Sequence, residues 1–155
     1  MTRNEKIAFK DSLKQFCITF IQQRIQTTQA LINNAQQAAN SEEKSSAGDK
    51  YETARAMGHI EKDMHTSQLM QHVKELAGLQ QVDVHKIYSV ATAGAFIQCS
   101  SMALFVAAGA GRQLFNGKAV LFLSPGAPLA KLINGKKTGE KFALNGTNII
   151  IDDVF

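Results

Sequence analysis

Four carboxylates, Glu42, Glu43, Asp49 and Glu52, fall within eleven residues of a 155-residue chain. Carboxylates held this close can bind a magnesium ion or complete a metal site on a partner. Lys44 and Lys50 lie among them, and composition by itself favours a plainer role, in which the acids cap a helix and keep a tip solvated. Other reactive side chains are scattered. Glu61, His65 and His72 share a helical face, but seven residues of helix set the two histidines about 10 Å apart, too far to share one ion. They read as a solvated face. Cys17 falls beside an apolar stripe and Cys99 within an apolar run, neither with a basic neighbour to lower its pKa. Gly109-Ala110-Gly111 lacks the third glycine of a dinucleotide fingerprint, and Gly135-Lys136-Lys137 lacks the spacing of a phosphate loop. The lysines read as a cationic cap on a short helix.

The elements that carry these residues come in two grammars, which change near residue 80. Residues 4–40 contain no proline or glycine, and Phe9, Leu13, Phe16, Phe20, Leu31, Ala35 and Ala38 recur at helical steps. A second run over 50–77 carries Tyr51, Ala54, Met57, Ile60, Met64, Leu69, Val73 and Leu76, with a slip near Ser67. Each run would be roughly 40 to 55 Å long. Neither can hide its stripe alone, so a short connection predicts an antiparallel hairpin with coiled-coil character. Its tip is expected at about 40–49. Asp49 and Glu52 have capping-box spacing at the start of the return helix, and Gly78 is expected to end it.

The second half reads in strands. Apolar runs at 95–99, 102–108, 119–123 and 147–154 are separated by turn signals, including Asn116-Gly117 and Asn145-Gly146. One short helix is expected from Ala127 to Ile133, ended by Asn134-Gly135. The expected fold class is therefore α+β. An N-terminal antiparallel helical hairpin occupies 1–80, and a small antiparallel sheet with one short helix occupies 81–155.

Bulk properties bound the function. At 45% apolar residues the chain can fill a core, and it is too short for a Rossmann or thiolase-type enzyme. Residues 87–111 carry no charge, yet Gln98, Cys99, Ser100 and Ser101 sit at their centre. Two buried strands explain that segment better than a membrane span. Six of the seven bases after residue 80 lie between Arg112 and Lys141, which suits an anionic partner. No aromatic residues interleave with them as a single-strand platform needs, so no direct sequence-specific nucleic-acid binding is expected. Two distant cysteines and no leader pattern point to a reduced cytoplasmic setting.

Two anchors then resemble the Gre family of bacterial transcript-cleavage factors, GreA and GreB, and the likeness extends over essentially the whole chain. The stretch from Leu123 to Phe142 is similar to the family's C-terminal signature of Ser-Pro, a short apolar helix, Gly-Lys-Lys and Gly-Asp, and matches its spacing without a gap. Tyr51-Glu52-Thr53-Ala54-Arg55 matches the tyrosine-x-x-Ala-Arg of the family's return helix. The resemblance implies an FKBP-like globular domain that holds the rim of the secondary channel of bacterial RNA polymerase, with the hairpin reaching toward the active site. In the family, two tip carboxylates help place a second magnesium ion for hydrolysis of backtracked RNA, chemistry that the polymerase's own metal site carries. The implied docking segment is Leu123, Ser124, Gly126, Ala127 and Pro128. Here Gly126 and Ala127 replace the family's acid and serine, and Pro128 is kept. Lys44 and Ala47 stand where the family has its two acids, which leaves Glu42, Glu43, Asp49 and Glu52 as the carboxylates near the tip. The expectation is a polymerase-binding elongation regulator with weak or absent cleavage stimulation. It would not itself be an enzyme, and would have no cofactor beyond magnesium shared with the polymerase.

A second class is a coiled-coil and FKBP-like interaction module without polymerase, with its oligomeric state open. Enzyme readings are weaker. A prolyl isomerase needs an aromatic-lined pocket, and acyl transfer through Cys99 lacks a base.

Overall fold

A computed structural model describes the backbone of residues 1–44 and 48–155 and the side chains of 1–41 and 52–155. In chain order the elements are α1 (Arg3–Lys44), α2 (Gly48–Gln81), β1 (Phe96–Cys99), β2 (Ala103–Val106), β3 (Gly111–Phe115), β4 (Lys118–Leu123), α3 (Pro128–Ile133), β5 (Lys141–Leu144) and β6 (Thr147–Val154). The class is α+β, a helical hairpin followed by a mostly antiparallel sheet with one short helix. The chain forms two compact units, Ile21–Lys74 and Met1–Phe20 with Glu75–Phe155.

Within Ile21–Lys74 the two helices bury a seam that differs from the apolar stripe. On α1, Ile21 and Thr28 are buried and Ile25, Ile32, Ala35 and Ala39 half-buried. On α2, His65 is buried and Ala54, Gly58, Leu69 and His72 are half-buried. On α1 these positions follow alternating four- and three-residue steps, and on α2 the half-buried Lys62 fills the gap between Gly58 and His65, the spacing of a coiled-coil seam. Lys62 donates to Gln36 Oε1 at 2.7 Å and links the helices along one flank. Met57, Ile60 and Met64, expected to face α1, are instead 66%, 69% and 52% exposed. The reason lies in the continuation of each stripe. Stepping on from Met64 reaches Ser67 or Gln68 and then Gln71, whereas stepping on from His65 reaches Leu69 and His72. A seam several turns long follows the stripe that stays in register. His65 is accordingly not on a solvated face. It is 8% exposed, with Nδ1 3.3 Å from Gln68 Oε1 and Nε2 3.5 Å from Glu61.

Three boundaries differ from the sequence reading. Helix α1 continues through Asn40 to Lys44, and α2 begins at Gly48 and runs past Gly78 to Gln81. No basic residue sits in the last turn of α2. Lys14 of α1 takes that role, donating to the carbonyls of Gln80 at 3.2 Å and Val82 at 2.8 Å. One turn earlier, Lys10 donates to the carbonyls of Lys86 at 2.6 Å and Gly94 at 3.1 Å. The two lysines thus hold the segment between α2 and β1 against α1. At its start α1 is closed by a capping box, in which Glu5 N–H donates to Thr2 Oγ1 at 3.2 Å and Thr2 N–H to Glu5 Oε2 at 2.6 Å.

The sheet has the order β3-β4-β2-β1-β6-β5. Every pairing is antiparallel except β2 with β4, which is parallel. The chain crosses to the edge strand β3, and the β3–β4 hairpin then returns β4 beside β2. Both Asn-Gly pairs make the expected tight turns, with φ of 51° and 77° at Asn116 and Gly117 and 51° and 78° at Asn145 and Gly146. The sequence reading missed β3 and β5. Apart from Phe142 their residues are exposed or half-buried; β3 opens Gly-Arg-Gln, and the apolar run of β5, Phe142-Ala143-Leu144, is only three residues long.

Alternation divides the sheet into two faces. Ile97, Leu104, Val106, Ile149 and Ile151 pack with Ala130 and Ile133 of α3 and with Phe142. On the other face Phe155 and Phe96 exchange backbone hydrogen bonds, Phe96 pairs with Phe105, and Phe105 with Phe122. Phe9 and Phe16 of α1 complete this side. Phe9 meets Phe96 edge-on at 5.0 Å and Phe115 at 5.8 Å, and Phe16 stacks on Phe122 at 5.4 Å. Edge-to-face pairs of this kind are worth about 0.5–1.5 kcal/mol each beyond the area they bury. Residues read from sequence as part of a helix–helix stripe are therefore the contact between α1 and the sheet.

Candidate functional site

The segment from Leu123 to Pro128 leaves the buried end of β4 and makes a surface turn. Leu123 is 9% exposed and belongs to the core. Pro125, Gly126 and Pro128 are exposed and Ala127 is half-buried. Ala127 N–H donates to Ser124 O at 3.0 Å, closing the turn. Pro128 then opens α3, where its missing N–H removes nothing from the helix ladder. Ser124 Oγ lies 3.3 Å from Glu75 Oε1, and the same carboxylate oxygen accepts the Gly109 N–H. The turn is thus fixed from below by α2 and presents Pro125, Gly126 and Pro128 outward.

The Gly135-Lys136-Lys137 segment is a scaffold. Gly135 N–H donates to Ala91 O at 2.8 Å, and Ala91 N–H donates to Lys136 O at 2.8 Å. Lys137 N–H donates to Glu140 Oε2 at 2.6 Å. Gly135 and Gly139 take φ of 81° and 89°, which explains glycine at both places. Both lysine side chains are left on the surface, Lys136 half-buried and Lys137 exposed.

The carboxylates of the hairpin connection are only partly in view. Glu52 is exposed on the first turns of α2. The side chains of Glu42, Glu43, Lys44, Ala47 and Asp49 lie outside the described residues. Among the described residues, no group of three His, Cys, Asp or Glu side chains could hold a metal ion. Burial pushes the Cys17 thiol up to about 12 and the Cys99 thiol to about 11, with Glu75 and Asp152 adding to the effect. Both stay protonated at neutral pH and lack the thiolate that acyl transfer requires.

One feature escaped the sequence reading altogether. A cavity of about 370 Å³ lies in the Met1–Phe20 and Glu75–Phe155 unit. It sits over a cross-strand row of Asp153, Gln98, Ala103 and Val120. Phe9, Phe96, Phe115 and Phe155 wall it, and Asn116 and Lys118 stand at the β3–β4 turn beside it. The aromatic positions were legible, but their convergence was not, because Phe9 comes from a helix far away in sequence.

No protein-family model matches the chain, and searches of curated proteins and of solved structures find no match. Among the described residues no helix is long and apolar enough to cross a membrane.

Proposed function

We propose that this chain is a Gre-like regulator of transcription elongation that docks on bacterial RNA polymerase in the cytoplasm. In this reading the α1–α2 hairpin enters the secondary channel and the surface turn at Ser124–Pro128 supplies a docking contact. The observation that carries the reading is the pairing of a long two-helix hairpin with an outward-facing Ser-Pro turn of the family's spacing. The helices are 42 and 34 residues long, about 63 and 51 Å at 1.5 Å per residue. The tip has Lys44 and Ala47 in place of the family's acids, so cleavage stimulation is weak or absent and any magnesium belongs to the polymerase. Hydrolysis itself stays with the polymerase.

The test is a pull-down with purified core polymerase, followed by a cleavage assay on a backtracked complex. Binding without accelerated cleavage is expected, and Pro128→Asp should weaken binding while leaving the fold intact. Cleavage at the rate of a true cleavage factor would overturn the inactive-tip reading. Absence of binding would overturn the polymerase reading.

One observation favours a second reading, a protein-interaction module without polymerase. Met57, Ile60 and Met64 form an exposed apolar stripe on α2, and apolar groups repeated along one helix face suit a protein partner. Replacing all three with lysine tests this reading, since a stripe-mediated interaction with a partner other than polymerase should be lost.

A further inference from the structure

We propose that the aromatic cavity on the α1 side of the sheet binds a small amphipathic carboxylate, with an aryl or short alkyl body in the cavity and its carboxylate at Lys118. A small residue lies on the cavity floor. Across the sheet Ala103 lies opposite Gln98 on β1 and beside Val120 on β4, and its methyl group fills little of the space that Phe9, Phe96 and Phe115 wall. The volume, about 370 Å³, is within the range of about 300–1,000 Å³ typical of ligand pockets, which pair apolar walls with a few polar groups.

The polar groups decide the ligand's charge. Asp153 lines the cavity, but both its oxygens are engaged. Oδ2 accepts from Lys6 Nζ at 3.0 Å and Oδ1 from the Val154 N–H at 2.9 Å. Lys6 also stands 4.7 Å from the Phe155 ring centroid, so the chain's own ammonium occupies the cation position that this carboxylate and ring would offer. The Gln98 amide donates to Cys99 O at 3.0 Å. Lys118 differs. It is exposed at the mouth, pairs across the turn with Phe115, and has no ion-pair partner among the described residues. An anionic head at Lys118 with an apolar body against Phe96, Phe115 and Phe155 matches this arrangement, whereas a cationic head there would meet the Lys118 ammonium while Asp153 is already paired with Lys6.

The experiment is a ¹H–¹⁵N correlation titration of the full chain with 4-phenylbutyrate, using 4-phenylbutylamine as the matched cation. Saturable shifts are expected at the amides of Gln98, Ala103, Phe115, Lys118 and Phe155, with the acid binding at least about tenfold more tightly than the amine. Lys118→Glu should remove that preference while leaving the rest of the spectrum in place. Ala103→Leu should abolish binding by filling the cavity. If the leucine disturbs the fold, the charge reversal still decides. Equal binding of acid and amine, shifts confined to other regions, or no saturation up to about 5 mM would overturn the proposal.

Discussion

Ser124 Oγ lies 3.3 Å from Glu75 Oε1, so the first residue of the exposed turn is hydrogen-bonded to helix α2. The same oxygen accepts the Gly109 N–H, and a Cβ at Gly109 would come within 3.0 Å of it and 2.9 Å of Ser124 Oγ. Helix, turn and the loop after β2 therefore converge on one carboxylate. Hydrogen bonds to a charged group contribute about 1.5–3 kcal/mol. Glu75→Ala should lower unfolding stability by about 2 kcal/mol, and Gly109→Ala should destabilise through the crowding. Ser124→Ala, which loses only the longer bond, should stay below about 1 kcal/mol. Urea denaturation of the three variants checks the order, and an unaffected Glu75→Ala would show that the carboxylate does not fix the turn.

Lys10 gives a pH dependence with a defined sign. Its side chain is fully buried, and burial pushes the ammonium down from 10.5 to about 8, against partial opposition from Asp83. Between pH 8 and 10.5 the unfolded chain therefore binds more protons at this residue than the folded chain does. Stability linked to Lys10 rises with pH across that window, because the penalty for burying its charge is present below it and relieved above it. Lys10→Met removes the titration along with the bonds to Lys86 and Gly94. The stability of the natural chain relative to Lys10→Met should increase from pH 8 to 10.5 in denaturant melts at fixed salt. A constant difference across the window would mean that Lys10 titrates at its ordinary value.

The α2 stripe and the seam make opposite predictions for residues of similar hydrophobicity. Met57, Ile60 and Met64 are more than half exposed, while Ile21 on α1 is fully buried. Lysine at any of the three α2 positions should change stability by no more than about 0.5 kcal/mol. Ile21→Ala should cost about 2–4 kcal/mol through lost burial and the space left behind. Thermal or urea unfolding distinguishes the two sets, and a large loss at Met57, Ile60 or Met64 would place the stripe in the seam after all.

What the sequence made legible follows the range of the interactions concerned. The Asn-Gly turns depend on two adjacent residues, and both formed as expected. Strand β6 and helix α3, each an uninterrupted local pattern, matched to within a residue at either end. Helix α1 carries a Thr2-x-x-Glu5 capping signal that is local and needs no tertiary information. The seam failed for a different reason. Methionine and isoleucine outrank glycine, threonine and histidine in hydrophobicity, but register over several turns decides which stripe two long helices share. Strands β3 and β5 failed because an edge strand with one wet face shows little apolar periodicity. The cavity lay furthest from view, since Phe9, Phe96, Phe115 and Phe155 meet only once α1 has crossed the sheet.

Glycine substitutions separate backbone need from mere presence. Gly58 and Gly78 lie inside α2, and nothing stands within 4 Å of an added Cβ at either. Alanine there restricts the unfolded chain and suits the helix, so each change should raise stability by about 0.5–1 kcal/mol. Gly117 and Gly146 also have open space around an added Cβ, but their φ values are 77° and 78°. Alanine in that left-handed region costs about 1–2 kcal/mol, so the same substitution should destabilise both hairpins. Gly126, in the exposed turn, has neither crowding nor positive φ, and alanine there should be close to neutral. This makes Gly126→Ala a useful companion to Pro128→Asp in polymerase binding, because any effect on association would come from the surface and not from the fold. Denaturant midpoints for the five alanine variants test the split, and a stabilised Gly117→Ala would contradict the tight-turn geometry.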